Sequence, residues 1–269
     1  MAFPSRSRII LMAAMLSLAL IPTSGALLIR NFKPRVNDWI VRTGDRVSLN
    51  PTFKPSAGRF SGVGFPDHPA EWERHVTLVS PRHFVCATHH PPEVGWRIQF
   101  IAADGSPYFG VVASATSVLN AAGQPTDLML GTFAKEIDSA IEPFPVLALA
   151  NEARYRGRSV IVFGQAGQAD KAHLQGFTTL ENDPGFDTTR FAWFDFGKRG
   201  TCNYESGDSG CPVFILSGGK PALIGTASGQ DLLQDNTSRN YCSFLPAYLS
   251  SLDAMMAPTG YRVRRIPER

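Results

Sequence analysis

The feature that most constrains the fold of this 269-residue chain is how often glycine and proline interrupt its apolar segments. The sequence contains 24 glycines and 20 prolines, a density that breaks regular structure too often for long helices. Short runs rich in β-branched and aromatic residues lie between these breaks, which is typical of a β-sandwich or barrel. The runs occupy residues 60–65, 75–79, 84–87, 96–102, 108–115, 128–133, 159–163, 191–196, 213–216 and 222–227. We therefore predict an all-β protein.

Two closely spaced prolines, Pro143 and Pro145, divide these runs into two groups. Proline cannot donate to a central ladder, so this stretch predicts a connection between two halves. We assign residues 60–142 to a first β-barrel and residues 143–257 to a second β-barrel with a C-terminal helix. Apolar residues at three- and four-residue spacing over 245–256 predict that helix.

The two ends of the chain are assigned separately. Residues 258–269 form a basic tail. Residues 27–59 include two short strand-like runs that predict a hairpin, and this region forms an N-terminal extension. The extension is either a removable pro-segment or an integral strand pair, and we favour the integral interpretation.

Residues 1–26 have the layout of an export signal. Arg6 and Arg8 supply positive charge, residues 9–21 form an uncharged apolar run, and residues 23–26 are small residues suited to cleavage. A buried helix is the alternative interpretation of the same run. No later stretch reaches the roughly 20 apolar residues that span a bilayer. We expect a secreted or periplasmic protein without a stable membrane anchor.

Charge and cysteine content limit the partners and cofactors. The formal net charge is only +3 and is spread along the chain, so nothing indicates a nucleic-acid partner. Export to an oxidising compartment would favour two disulfides among Cys86, Cys202, Cys211 and Cys242, although three pairings are possible. No pair of cysteines has zinc-ligand spacing, so we expect no metal.

Residues 207–210, with the sequence Gly-Asp-Ser-Gly, are the most informative stretch. A serine flanked by glycines can occupy a tight turn with its hydroxyl exposed. The amides of Gly207 and Ser209 could then point to one position and bind an oxyanion. An ordinary surface turn is the alternative interpretation.

A serine nucleophile requires a base and a group that orients the base. His89 and His90 follow a predicted strand, and His89 is placed to face the junction of the two halves, whereas His90 would point away. Asp127 begins an apolar run that would bury it and allow it to hold the His89 ring. We therefore predict that Ser209, His89 and Asp127 act together.

These motifs, in the chain order His89, Asp127 and Ser209, resemble those of the chymotrypsin/trypsin-like serine peptidase family, in particular an exported member of bacterial type. The resemblance implies two six-stranded antiparallel Greek-key barrels and a C-terminal helix. It also implies hydrolysis of protein or peptide substrates, with Ser209 as nucleophile, His89 as general base and Asp127 as its stabiliser. The amides of Gly207 and Ser209 would form the oxyanion hole, and no cofactor would be needed.

The resemblance also suggests a substrate pocket, while the cysteines depart from the family's pattern. Asn203 stands where trypsin-like members carry a charge-selecting aspartate, so no preference for Arg or Lys at that pocket is expected. Ser228 and Gly229 resemble the segment that pairs with an extended substrate. The family's usual disulfide beside the histidine is missing, because its cysteine position is here His90. The strands that carry Cys86 and Cys211 must approach one another if the three residues assemble, so we predict the disulfides Cys86–Cys211 and Cys202–Cys242, with free buried thiols as the alternative.

No activation site of the animal digestive type precedes His89, so Asp208 must find another partner or accept backbone N–H groups. We expect a monomer.

The alternatives to an exported endopeptidase are a catalytically inactive relative that binds proteins outside the cell, and an extracellular β-rich adhesion domain.

Overall fold

The computed structural model describes most of the chain beyond the predicted export signal. That signal, residues 1–26, lies outside the described residues. The described residues are 27–44, 46–54, 56–68, 73–180, 185–197, 201–234 and 237–267.

The first half of the chain closes into a six-stranded antiparallel barrel in the order β4-β5-β6-β9-β8-β7. Antiparallel pairing along the whole circuit leaves none of these six strands at an open edge. The strands are β4 (Val63–Pro66), β5 (Val76–Ser80), β6 (His83–Ala87), β7 (Arg97–Ile101), β8 (Pro107–Leu119) and β9 (Pro125–Phe133).

Aromatic rings fill the interior of this barrel, and a neighbouring position is glycine, which leaves room for them. Phe133 packs against Phe84 and Phe100, with ring centroids 4.8 and 5.8 Å apart. A Cβ at Gly131 would lie 2.0 Å from the Phe84 ring, so only glycine leaves room for that ring. The Phe84 ring therefore fills the space that a side chain at position 131 would occupy.

Gly131→Ala should destabilise the protein by about 1–3 kcal/mol, because the added methyl group overpacks the core beside Phe84. Urea denaturation followed by circular dichroism would measure the change. Gly229→Ala is the matched control, since a Cβ there meets no atom within 4 Å and the residue has no positive φ. Equal stability of the Gly131→Ala variant and the wild-type protein would contradict this account of the packing.

The second half forms a nine-stranded sheet rather than a second closed barrel. Its main path runs β12-β11-β16-β17-β18-β14-β13, and β10 and β19 attach to one side. The strands are β10 (Val146–Leu147), β11 (Ser159–Phe163), β12 (Ala169–His173), β13 (Gly176–Thr178), β14 (Phe191–Phe196), β16 (Pro212–Ser217), β17 (Lys220–Leu232), β18 (Ser238–Phe244) and β19 (Arg265–Ile266). The prediction of an all-β fold is confirmed, and the first half is the predicted six-stranded barrel. The second half is a half-barrel of nine strands, where two six-stranded barrels were expected.

The N-terminal region packs onto the second half. Strand β1 (Leu28–Ile29) pairs with β15 (Cys202–Asn203), the short helix α1 spans Pro34–Asn37, and β2 (Ile40–Thr43) and β3 (Arg46–Leu49) form the predicted hairpin. Backbone pairing thus ties this region to the loop that carries the predicted nucleophile.

An aromatic cluster joins the N-terminal region, the connection and the second half. Phe60 contacts Phe163 and Phe214, with centroids 4.9 and 5.3 Å apart, while Phe144 of the connection lies 4.6 Å from Phe214. Trp39 is fully buried and packs edge-on against Phe163 at 5.5 Å. These rings hold parts of the chain distant in sequence against one core.

The C-terminal helix forms as predicted, with a tighter first turn. Residues Leu245–Tyr248 are a 3₁₀ helix containing Pro246, and α2 (Leu249–Met256) follows directly. Residues 57–60 also form a 3₁₀ helix, so the predicted strand at 60–65 begins later, at Val63. No described helix is both long and apolar enough to cross a membrane.

Candidate active site

The first barrel places His89 and Asp127 side by side. Strands β6 and β9 are antiparallel neighbours, with Ala87 opposite Leu128. The Thr88 amide continues this ladder by donating to the Asp127 carbonyl at 3.2 Å. Strand register therefore places His89, the residue after Thr88, beside the start of β9.

A buried carboxylate orients the His89 ring. Asp127 is 2% exposed, and its Oδ1 lies 2.7 Å from Nδ1 of His89 and 3.2 Å from the His89 amide nitrogen. An ionised carboxylate can only accept, so Nδ1 carries the proton and Nε2 is left as an acceptor. This tautomer is the one that a general base requires.

The turn carrying Ser209 is shaped by two glycines with positive φ. Gly207 and Gly210 have φ of 94° and 87°, in the left-handed region that favours glycine. A Cβ at Gly210 would lie 2.9 Å from the His75 carbonyl oxygen. The Gly210 amide donates to the Ala227 carbonyl at 2.8 Å, which fixes the turn to β17.

The three predicted catalytic residues meet at the junction of the two halves. The Ser209 Oγ lies 2.6 Å from Nε2 of His89, and the hydroxyl donates because that nitrogen is the acceptor. The His89 side chain is 35% exposed, so one side of the ring faces solvent. A continuous hydrogen-bonded line thus runs from a buried carboxylate to an accessible hydroxyl.

The amides of Gly207 and Ser209 are available to a ligand. Neither amide donates to an acceptor within the described part of the chain. Gln165 supports the turn from behind by donating from Nε2 to the Ser206 carbonyl at 2.7 Å. The φ of 94° requires glycine at position 207, and a Cβ there would also lie 2.4 Å from the amide end of the Gln165 side chain. The turn can therefore present two N–H groups next to Ser209.

Asp208 uses its carboxylate to brace the same turn. It is fully buried, and its two oxygens accept from the amides of Gln165 and Glu205, each at 2.9 Å. Leu27 packs beside it against Gly164. The sequence left two roles open for Asp208. In the structure it accepts hydrogen bonds from backbone N–H groups.

Burial raises the pKa of Asp208 to about 7, despite the two amides that favour its charged form. In the unfolded chain the group titrates near 4, so the folded protein holds this proton over a range where the unfolded chain has lost it. The carboxyl group therefore contributes stability below about pH 4, and this contribution is lost as the pH rises to about 7.

Comparison with an Asp208→Asn variant isolates this effect. Relative to the variant, the wild-type protein should lose about 3 kcal/mol of unfolding free energy between pH 4 and 7, and the difference should level off above about pH 8. Urea titrations at fixed ionic strength would measure the difference. The comparison with the variant is needed because burial also lowers the pKa of His75 to about 3. This shift makes the unfolding free energy of both proteins rise with pH, opposite to the effect of Asp208. A difference independent of pH would contradict the assignment.

The three residues of the predicted substrate pocket do not all line one cavity. Ser228 and Gly229 line a cavity of about 130 Å³ beside β17. Asn203 is buried in β15, opposite Leu28 of β1, and is not part of that lining. The residues around this cavity include aromatic side chains that the sequence analysis missed.

Neither predicted disulfide, Cys86–Cys211 or Cys202–Cys242, is present, and all four cysteines are free and buried. The strands do approach, since the Cys86 Cβ lies 3.5 Å from where a Cβ of Gly210 would be. However, Cys86 belongs to the core of the first barrel, while Cys211 packs in the other core with its sulfur 3.1 Å from Nδ1 of His75.

The remaining thiols are also held by their own surroundings. The Cys242 thiol donates to the carbonyl of Ala192 on the neighbouring strand β14, at 3.5 Å. Burial raises the pKa of Cys242 to about 12 and that of Cys202 above its usual value, so both stay as thiols. Free buried thiols were the stated alternative. Within the described ranges, no cluster of three or more His, Cys, Asp or Glu residues could hold a metal ion.

Sequence reasoning missed the residues that support Asp127. The Asp127 amide donates to the Thr189 hydroxyl at 2.7 Å, and Ser243 donates to the Asp127 carbonyl at 3.3 Å. Phe186 packs against His89 with centroids 5.4 Å apart. Single polar or aromatic residues in loops and strand ends carry no pattern that would reveal these contacts.

Comparison with known proteins defines the fold. No protein-family model matches the sequence, and no curated protein matches it. A solved structure of a mutant of human heparin binding protein (CAP37) is similar, with a TM-score of 0.54 and 13% sequence identity. The match covers 76% of this chain and 94% of that chain. The fold is chymotrypsin-like. In this chymotrypsin-like fold the candidate site occupies the cleft between the two halves, and the likeness extends to the fold alone.

Proposed function

We propose that this protein is a serine endopeptidase that hydrolyses peptide bonds through an acyl-enzyme intermediate. The observation that carries the proposal is the line of hydrogen bonds Asp127–His89–Ser209, with lengths of 2.7 and 2.6 Å. Such a line makes a serine hydroxyl nucleophilic, because the imidazole accepts its proton as the oxygen attacks.

The reaction would follow from these positions. Ser209 Oγ attacks the carbonyl carbon while its proton passes to Nε2 of His89, and the amides of Gly207 and Ser209 stabilise the oxyanion. Collapse of this intermediate breaks the C–N bond, and His89 returns the proton to the leaving amine. Water, deprotonated by His89, then attacks the acyl carbon, and the ester bond breaks as His89 passes this proton to Ser209 Oγ. Asp127 stabilises the imidazolium at both stages.

The free edge of β17 offers a means of holding a peptide substrate. Strand β16 pairs with β17 as far as Thr226, and the Ala227 backbone bonds the turn that carries Ser209. Beyond Ala227, no described strand pairs with this edge of β17. An extended peptide can add there as a further strand, next to the nucleophile.

Export is part of the proposal. The sequence of residues 1–26 supports a secreted or periplasmic location, where a protein or peptide substrate would be met. We propose a monomer that needs neither a cofactor nor a nucleic-acid partner.

A catalytically inactive binding module is the second candidate function. It is favoured by one observation, namely that the solved protein of similar fold is named for its binding of heparin. The hydrogen-bonded Ser209 and the two unused amides favour an enzyme, because binding alone requires neither.

Hydrolysis of a mixed-sequence peptide library tests the two functions against each other. The wild-type protein should cleave internal peptide bonds at about pH 8, as identified by mass spectrometry of the products, and the Ser209→Ala variant should not. Folded wild-type protein that leaves the whole library intact would overturn the endopeptidase proposal in favour of the binding module. Release of terminal residues alone would overturn the endopeptidase assignment.

A further inference from the structure

A small pocket lies along β17 within reach of the candidate catalytic residues. Its volume is about 130 Å³, and its walls combine aromatic rings with strand backbone and one carboxylate. The lining residues used below are Phe186, Phe191, Gly229, Asp231 and Tyr241.

Aromatic rings connect His89 to the far end of this pocket. Phe186 packs against His89 at 5.4 Å between centroids, Phe191 lies 6.2 Å beyond Phe186, and Tyr241 lies 5.9 Å beyond Phe191. Phe191 and Tyr241 are buried, so the packed core holds their rings in place. The pocket is therefore an apolar wall that begins at the catalytic histidine.

A carboxylate stands at the rim of the pocket. Asp231 is exposed, and its Oδ2 accepts a hydrogen bond from the Tyr241 hydroxyl at 2.7 Å. Burial and the adjacent Asp231 carboxylate raise the pKa of Tyr241 to about 12, so its hydroxyl remains protonated and holds Asp231 in place. A negative charge thus faces the open end of the aromatic wall.

The single cation near this carboxylate, among the described residues named here, is shared with a second carboxylate. Arg239 lies opposite Asp231 on β18 and interacts with the Tyr241 hydroxyl, while its guanidinium group stacks over Trp193 at 4.1 Å and its Nε lies 3.7 Å from Asp195 Oδ1. Among the described lining residues of the pocket there is no cation. These three charged groups leave one net negative charge on this face of the sheet.

We propose that this pocket binds a lysine or arginine side chain of the substrate, one to three residues away from the cleaved bond. The apolar stem would contact Phe186 and Phe191, and the cationic end would lie between the Tyr241 ring and Asp231. This inference rests on the proposed function and names the substrate class of the same site. Aromatic faces and a carboxylate together favour a cation over an apolar side chain of equal length.

The distance along the substrate follows from strand geometry. The backbone of Ala227 is hydrogen-bonded to the turn that carries Ser209, and residues 228–231 of the same strand line the pocket. A peptide added to this edge advances about 3.3 Å per residue, so side chains within three residues of the cleaved bond reach the pocket.

Binding to the Ser209→Ala variant tests the pocket without requiring turnover. The probes are fluorescein-labelled alanine hexapeptides with a single lysine or norleucine at each position, and anisotropy gives the dissociation constants. Norleucine matches the lysine stem but lacks the charge. At one position the lysine peptide should bind about tenfold more tightly than its norleucine partner.

Second-site variants in the Ser209→Ala background assign this preference to Asp231. Asp231→Asn should reduce the ratio to about twofold or less, whereas Asp104→Asn, at an exposed carboxylate in the β7–β8 turn, should leave it unchanged. Equal or tighter binding of the norleucine peptides would overturn the proposal. So would an equal effect of the two substitutions, or the absence of measurable binding by any peptide.

Labelling of wild-type Ser209 by a fluorophosphonate separates this inference from the proposed function. A labelled serine with no lysine preference refutes the pocket assignment alone. An unlabelled serine with a lysine preference refutes the peptidase proposal and leaves the pocket as a binding site for basic peptides.

Discussion

Replacing Ser209 by alanine is expected to lower kcat/KM for peptide hydrolysis by about 10⁶-fold, with little change in stability. In the proposed mechanism this hydroxyl forms the acyl-enzyme, and it lies 2.6 Å from Nε2 of His89, the proposed base. His89→Ala should cost a similar factor, because an unactivated hydroxyl attacks slowly. The double variant should be no worse than either single variant, since the two groups act in one step.

Steady-state kinetics on a cleaved library peptide, with burst-phase analysis for the acyl-enzyme, would measure these losses. Ser114→Ala, at an exposed serine of β8 in the first barrel, is the control and should retain full activity. Loss of activity in the control, or substantial activity remaining in the Ser209→Ala variant, would contradict the assigned nucleophile.

Asp127→Asn is expected to lower kcat by about 10⁴-fold while leaving the fold intact. The backbone bonds of this residue to Thr88, Thr189 and Ser243 do not involve the carboxylate and would remain. The substitution removes the charge that holds the proton on Nδ1 of His89 and stabilises the imidazolium. An amide can donate to Nδ1 and thereby favour the tautomer that cannot accept from Ser209.

This loss should appear in kcat more than in KM, because the carboxylate is 2% exposed and does not meet the substrate. Asp138→Asn, at an exposed turn, is the matched control. A loss of less than about tenfold, or a loss that falls mainly on KM, would show that Asp127 does not position the base.

Local sequence patterns predicted most of the fold and the central residues of the site. Strand periodicity and the frequent breaks are local properties, and they correctly indicated the short strands and the helix at the C-terminus. The Gly-Asp-Ser-Gly turn is also local, since its glycines are required by a positive φ that the sequence reveals through residue type.

Contacts between distant parts of the chain could not be predicted in this way. The support of Asp127 by Thr189 and Ser243 depends on how the two halves dock, and no spacing encodes it. The pairing of Cys86 with Cys211 failed for a related reason. Approach of two strands was inferred correctly, but the side-chain directions that place each thiol in a different core were not.

The most direct test of the proposed catalytic site is reaction of the wild-type protein with a fluorophosphonate, followed by mass spectrometry of the modified peptide. The proposed mechanism predicts one adduct per chain, located on Ser209 and absent from the His89→Ala variant. Folded protein that forms no adduct, or forms it on another serine, would contradict the proposal that His89 activates Ser209 in this cleft.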